Sequence, residues 1–354
     1  MEFSTQWNTH LIGYSISEFV SVARCAHDLG FQTIWLNDNV RYRNIFTVLT
    51  AIAAQVPIKV GTATIVPYFH NPITLACTIA SLSDVSQGRE VRVGIAIGDL
   101  GQTPPYVEFT NRLAMLQEST LFLKKALSGE TTLFREFPTL VRYFRLNPEG
   151  KLKLAFAPAG SLPFYGGTLG PKSLAVAGEH MDGIVFPGQF LAFFKTGRLN
   201  SMIQTAKDGA VRSGSKKTLR FSALLNVSVS KDRKKARQFA LPQVAHSVIS
   251  LKVAQFTQQD FEKVGIDPER VDRLQDAFTQ GGGITIEEAS RLVDDRMIDA
   301  YYLAGTPEEV VAPLISLVRE LGQMGIEEIA FSKLGYDYRE ALELIAREVI
   351  PYLR

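Results

Sequence analysis

The sequence predicts an α/β fold, a closed TIM (β/α)8 barrel, on three observations. Short apolar, β-branched runs alternate with longer amphipathic patterns, about eight such strand-then-helix units follow one another, and 354 residues suit one barrel with insertions. Alternation of this kind implies parallel strands joined by right-handed crossovers, and eight units favour closure over an open sheet. An open doubly wound sheet is the rival, but no G-x-G-x-x-G follows the first strand.

The units run in order. Residues 2–7 form the opening strand. Residues 15–30 (SISEFVSVARCAHDLG) form an amphipathic helix with Phe19, Val22, Ala23, Ala26 and Leu29 on one face, Ser15 or Ser17 as cap and Gly30 as stop. The run FQTIWLND is a buried strand ending in Asn37, Asp38 and Asn39, and a helix follows over 45–55. Strand 58–66 leads through a proline break into helix 72–85, and strand 89–99 precedes a long helix over 111–127. After an irregular arm, 129–151, the rhythm resumes with strand 162–168, helix 172–177, strand 183–186, helix 190–212, strand 219–230 and helix 233–253. Strand 327–334 and a C-terminal helix close the chain. Residues 255–304, with the triple glycine 281–283, break the rhythm and read as a helical insertion before the last strand, a lid over the site within one domain spanning 1–354.

Composition narrows the function. Hydrophobic residues make up 46% and charged residues 21%, which excludes global disorder. Lys plus Arg is 38 against Asp plus Glu 36, so nothing points to nucleic acid bound by phosphate neutralisation. Cys25 and Cys77 fall in helical patterns and are expected in the core; two cysteines make neither a disulfide framework nor a thiolate zinc site. The first residues lack the basic start and apolar run of a signal peptide, and no apolar stretch approaches the roughly 20 residues of a membrane span. The expectation is a cytoplasmic enzyme acting on a small molecule, with no membrane partner.

In such a barrel the working residues lie on loops just after strands. That filter leaves Asp38 and Asn39 after strand two, Thr64, Ile65 and His70 after strand three, and Gly98 and Asp99 after strand four. Strand five adds Gly166, Gly167 and Thr168, and strand six adds Pro187 and Gly188. GGTLGPK can bring backbone N–H groups to an anion at a helix N-terminus, or can be a tight turn with ordinary capping; it lacks the ending of a P-loop. Asp38 and Asp99 could face each other across the barrel mouth, and paired acids serve proton transfer; either could equally cap the next helix. His70 is a candidate proton donor. No H-x-x-x-H or H-E-x-x-H pairing suggests a metal.

Four stretches, FVSVARCAHDLGFQTIWLNDN, VGTATIVPYFHNPITLACTIASLSDVSQGR, FYGGTLGPKSLAVAGEHMDGIVFPG and GTPEEVVAPLISLVRELGQMGIEEIAF, resemble the luciferase-like flavin- and F420-dependent superfamily of barrels, in family order and over nearly the whole chain. VDDRMIDAYYLAGTPEEV is most similar to the methylenetetrahydromethanopterin reductase branch. The resemblance implies a non-proline cis peptide behind the cofactor ring, here Thr64–Ile65; Asp38 and Asn39 beside the ring; Asp99 as the acid ending strand four; and Gly166, Gly167 and Thr168 as cradle for the phosphate-bearing tail. It also implies a homodimer. The chain departs from the family at Gln6, where the pterin reductase has a glutamate, at Asn39, where histidine is commoner, and in strand four, with Gly94, Ala96 and Gly98. The implied activity is hydride transfer between coenzyme F420 and an organic substrate. The alternatives are an FMN-dependent monooxygenase of the same fold and a flavin-binding barrel without turnover.

Overall fold

The computed structural model describes residues 1–8, 13–98, 106–214, 217–253, 256–279 and 286–353. Eight parallel strands form the barrel: β1 (Glu2–Trp7), β2 (Thr33–Leu36), β3 (Lys59–Ile65), β4 (Val91–Ile95), β5 (Phe164–Gly166), β6 (Gly183–Phe186), β7 (Arg220–Val229) and β8 (Glu328–Ser332). Each pairs with the next in parallel, and β8 pairs back onto β1, which closes the sheet. All eight coincide with the strands expected from the apolar runs.

Each strand has two buried faces. The outward face packs on the helices and carries Ile34 and Leu36 of β2, Phe186 of β6 and Leu225 and Val227 of β7. The inward face fills the barrel with a separate cluster of Trp35, Ala63, Tyr165, Val185, Leu224 and Ala330. Trp35 and Tyr165 meet edge to face at 5.5 Å, and Gly61 and Gly183 leave room for them, since a Cβ there would come within 2.7 Å of a ring carbon.

The outer layer begins with α1 (Ile16–Asp28), α2 (Ile45–Gln55), α3 (Pro72–Val85) and α4 (Arg112–Leu127). Ser15 and Glu18 form a capping box on α1, and Asn44, Asn71 and Asn111 cap the other three, so each strand-to-helix loop ends in a residue suited to starting a helix. The arm is ordered: strands Thr132–Leu133 and Lys151–Leu152 pair antiparallel around α5 (Pro138–Phe144), whose first N–H groups are received by Glu118.

Three sequence expectations change here. The expected helix 190–212 is two helices, α7 (Phe190–Lys195) and α8 (Leu199–Arg212), because Gly197 takes a positive φ of 79° and its N–H closes the first helix on Phe194 O. α6 (Pro171–His180) runs longer than expected. Cys77 is exposed and Cys25 only partly buried, since α3 buries Leu75, Ala76 and Ile79 and turns Cys77 away.

After β7 come α9 (Arg233–Val253), α10 (Gln258–Lys263), α11 (Pro268–Thr279), α12 (Ile286–Ala289) and α13 (Asp295–Tyr301). The chain then adds a short strand, Leu303–Gly305, beside β7 and crosses back through α14 (Pro307–Gln323), a capping-box helix with Thr306 and Glu309. Arg237 holds α13 to α9 through Asp295 and Asp299, and the triple glycine lies outside the described residues.

Candidate functional site

The C-terminal mouth of the barrel is organised around an irregularity in β3. Its register with β4 slips between Thr62 and Ile65, and the peptide bond Ala63–Thr64 is cis. The sequence expectation placed this bond at Thr64–Ile65, one residue late. Ile65 has already rejoined the ladder opposite Ile95, so the departure must fall before it. Thr62 bridges the gap: its hydroxyl donates to Gly94 O at 2.9 Å and accepts from Gly94 N at 2.8 Å. Two glycines make room for the bulge. A Cβ on Gly94 would lie 2.0 Å from Thr62 O, and one on Gly167 would lie 2.3 Å from the Thr64 methyl group. The altered glycine pattern of strand four thus has a packing reason.

Beside the bulge, His70 Nε2 lies 2.6 Å from Asp38 Oδ2, with side-chain exposures of 17% and 6%. The same oxygen accepts from Val66 N–H at 3.3 Å, and Asp38 N–H donates to Thr64 O at 3.3 Å. Where Asp38 accepts, the contact calls for a proton on His70 Nε2 and directs Nδ1 elsewhere. Phe46 packs edge-on against the imidazole at 5.7 Å. The loop carrying His70 is anchored through Tyr68, whose hydroxyl donates to Thr110 O at 2.7 Å and whose ring meets Phe109 and Tyr143; burial pushes that hydroxyl up to about 12.

The remaining expected residues divide. Asn39 shapes the turn after β2, its Oδ1 accepting from Arg41 N–H and its carbonyl from Tyr42 N–H. Gly98 has φ +86°, a conformation only glycine adopts freely, and Asp99, with its expected pairing to Asp38, lies outside the described residues. Gly166 faces Ala177 of α6, where a Cβ would come within 2.5 Å, and Gly167 N–H is already spent on Ile95 O. The first turn of α6 offers an anion the N–H groups of Lys172 and Ser173, while the Ser173 hydroxyl donates to Gly170 O and bonds the Thr168 hydroxyl. Pro187 O receives Phe190 N–H, and Gly188 lies against the amide of Asn226.

Across the mouth stands a set of polar residues that reasoning from strand ends passed over. Gln6 of β1, Asn226 and Ser228 of β7 and Ser332 of β8 are all buried on the inward face. Gln6 Oε1 accepts from Ser332 Oγ and from Asn8 Nδ2, the latter at 3.2 Å. The signal was present in the alternation of strand 219–230, where Ser222, Leu224, Asn226 and Ser228 share one face. Among the described residues no group of three or more His, Cys, Asp or Glu side chains could hold a metal ion, and no helix is long and apolar enough to cross a membrane.

Known proteins place this arrangement. The chain is 29% identical, over the full length of both chains, to the 5,10-methylenetetrahydromethanopterin reductase of Archaeoglobus fulgidus. It is 28% identical to the enzyme of that name from Methanolobus tindarius, over 93% of this chain and 94% of that protein. Among solved structures, the coenzyme F420-dependent tetrahydromethanopterin reductase of Methanopyrus kandleri superposes with a TM-score of 0.74 at 23% identity, covering 100% of this chain and 99% of that one. The luciferase-like monooxygenase family matches residues 3–324. The chain therefore belongs to the luciferase-like monooxygenase family.

Proposed function

We propose that this protein is an F420-dependent oxidoreductase that reduces or oxidises a small organic substrate, working as a cytoplasmic homodimer. The observation that carries the reading is the His70–Asp38 pair, 2.6 Å apart and set against the β3 bulge at the catalytic end of the barrel. Full-length similarity to 5,10-methylenetetrahydromethanopterin reductases supports the choice of cofactor.

The residues present suit a planar ring with an anionic tail. Ala63, Gly94 and Gly167 bring no more than a methyl group to one arc of the mouth, where the Thr64 side chain lies beside the two glycines, and this low wall would suit a ring. The tail would be held by the α6 N-terminus with Thr168, Lys172 and Ser173, where a helix end favours negative charge. When bound, a deazaflavin exchanges a hydride with carbon. The protein's own part is positional and protonic. His70, reachable from the mouth and steadied by Asp38, holds or delivers the proton that accompanies reduction at a heteroatom. Asp38, with two donors on one oxygen, orients His70 and keeps the β2 and β3 loops together.

Fluorescence titration with F420 and with FMN tests the cofactor, and turnover of 5,10-methylenetetrahydromethanopterin tests the substrate of the relatives. F420 bound with FMN ignored is the expected result. Selective FMN binding with oxygen consumption would replace this reading by a monooxygenase, and cofactor binding without turnover of any acceptor by a non-catalytic barrel.

A further inference from the structure

We infer that Asn226 is a specificity-determining residue whose amide oxygen accepts a hydrogen bond from an uncharged N–H or O–H head group of the substrate. The inference rests on the proposed function and deepens it. Asn226 sits on the inward face of β7, two residues beyond Leu224 of the barrel-filling cluster and level with Ser332 of β8. Its side chain is buried, with the residue only 1% exposed. Nδ2 donates to Tyr301 O at 3.3 Å, which settles the orientation of the amide: reversed, it would set two carbonyl oxygens against each other. Oδ1 then has no hydrogen-bond partner among the described residues.

An acceptor kept dry and unpaired is costly, and an apolar residue of similar volume would remove that cost. The fold nevertheless makes room for this amide. A Cβ on Gly188 would fall 2.4 Å from Oδ1 and 2.5 Å from Nδ2, so glycine at the end of β6 is what lets Asn226 lie where it does. Two strands thus agree on an amide whose oxygen has no hydrogen-bond partner among the described residues.

Position and neighbours say what it receives. The low arc formed by Ala63, Gly94 and Gly167 is the ring side of the mouth, and β7, β8 and β1 face it from across the barrel. On that opposite wall Gln6, Asn226, Ser228 and Ser332 are all uncharged, and Ser228 Oγ is a second buried polar atom without a hydrogen-bond partner among the described residues. A wall of amides and hydroxyls with no countercharge rejects an ionised head group, because nothing there offsets its desolvation, and selects a neutral donor.

The test uses F420-loaded protein and 2-amino-4-oxopteridine as a neutral N–H probe, titrated calorimetrically, with cofactor affinity and melting temperature measured in parallel. Asn226→Leu removes the acceptor together with the Nδ2 donor to Tyr301 O, and Gly188→Ala displaces the amide from a second position. Both variants are expected to bind the probe about five- to tenfold more weakly, the worth of one hydrogen bond, with cofactor affinity unchanged and the melting temperature of Asn226→Leu lowered by the lost bond to Tyr301 O. Wild-type affinity in both variants would overturn the inference, as would loaded wild type that ignores the probe. A loss of F420 affinity in both would move Asn226 to the cofactor and overturn it too. A wild type that binds neither F420 nor FMN sinks the proposed function and this inference with it.

Discussion

The two ends of the barrel are built from opposite materials. At the N-terminal end Arg92, with no exposed side-chain surface, binds Glu2 at 2.9 Å, Glu90 at 2.7 Å and Glu328 at 2.7 Å, and its guanidinium lies 5.6 Å from the Trp35 ring. Trp35 Nε1–H and Ser4 Oγ also donate to Glu328. Burial works against the charge of Arg92, yet Glu328 and the other carboxylates hold it above its usual range. At the C-terminal end the described residues include neutral amides, hydroxyls and glycines beside the His70–Asp38 pair. Ion pairs with three carboxylates hold Arg92 in place, although Glu328 Oε2 stays buried without a hydrogen-bond partner among the described residues. The other end keeps Asn226 Oδ1 without a partner among the described residues and a histidine set against a carboxylate, and groups of these kinds serve binding and proton transfer.

The sharpest way to break this contrast is Arg92→Met. Removing the cation leaves Glu328 buried without its partner, and a denaturant titration should show a loss of about 3–5 kcal/mol. A wild-type midpoint would mean the charge cluster is not structural. His70→Gln at the opposite end should behave in reverse: turnover is expected to fall about 10²- to 10⁴-fold while stability changes by less than about 1 kcal/mol. Unaltered turnover would remove His70 from the chemistry.

How far these ends were legible differs for the same physical reason. All eight strands follow from local apolar runs, and the caps at Ser15, Asn71 and Asn111 follow from residue type. Loop position alone singles out Asp38 and His70 as separate candidates, and the structure brings these two side chains together. What stayed hidden depends on distant pairing. Trp35 and Glu328 are 293 residues apart, and no local pattern joins them. The cis bond fell one residue early because only pairing with β4 shows where the ladder breaks. Asn226 was missed because it points into the barrel from within a strand, not from the loop beyond it.

A smaller effect tests the bulge that shapes the mouth. Gly94→Ala sets a methyl group against Thr62 O, and the overpacking should cost about 1–3 kcal/mol and weaken cofactor binding together with stability. A loss of stability with intact cofactor affinity would separate the bulge from the site.

The mildest prediction concerns acid. Arg92 and Lys59 outweigh burial and hold Glu2 below its ordinary 4.5; Arg92 and Arg220 do the same for Glu90. Lys217 and Lys124 lower Asp182 from 3.8 against its burial. A depressed folded-state value contributes stability above the ordinary value and loses it as pH falls through the lowered one. Stability should therefore be level above about pH 5 and decline below 4.5, and Glu90→Gln should flatten that decline. Because these groups are partly exposed, the effect should shrink in high salt.

The contrast is tested most directly by measuring F420 affinity and turnover side by side in wild type and His70→Gln. The account predicts cofactor binding of equal strength in both, with turnover surviving only in the wild type. Equal turnover in both, or no binding in either, would contradict it.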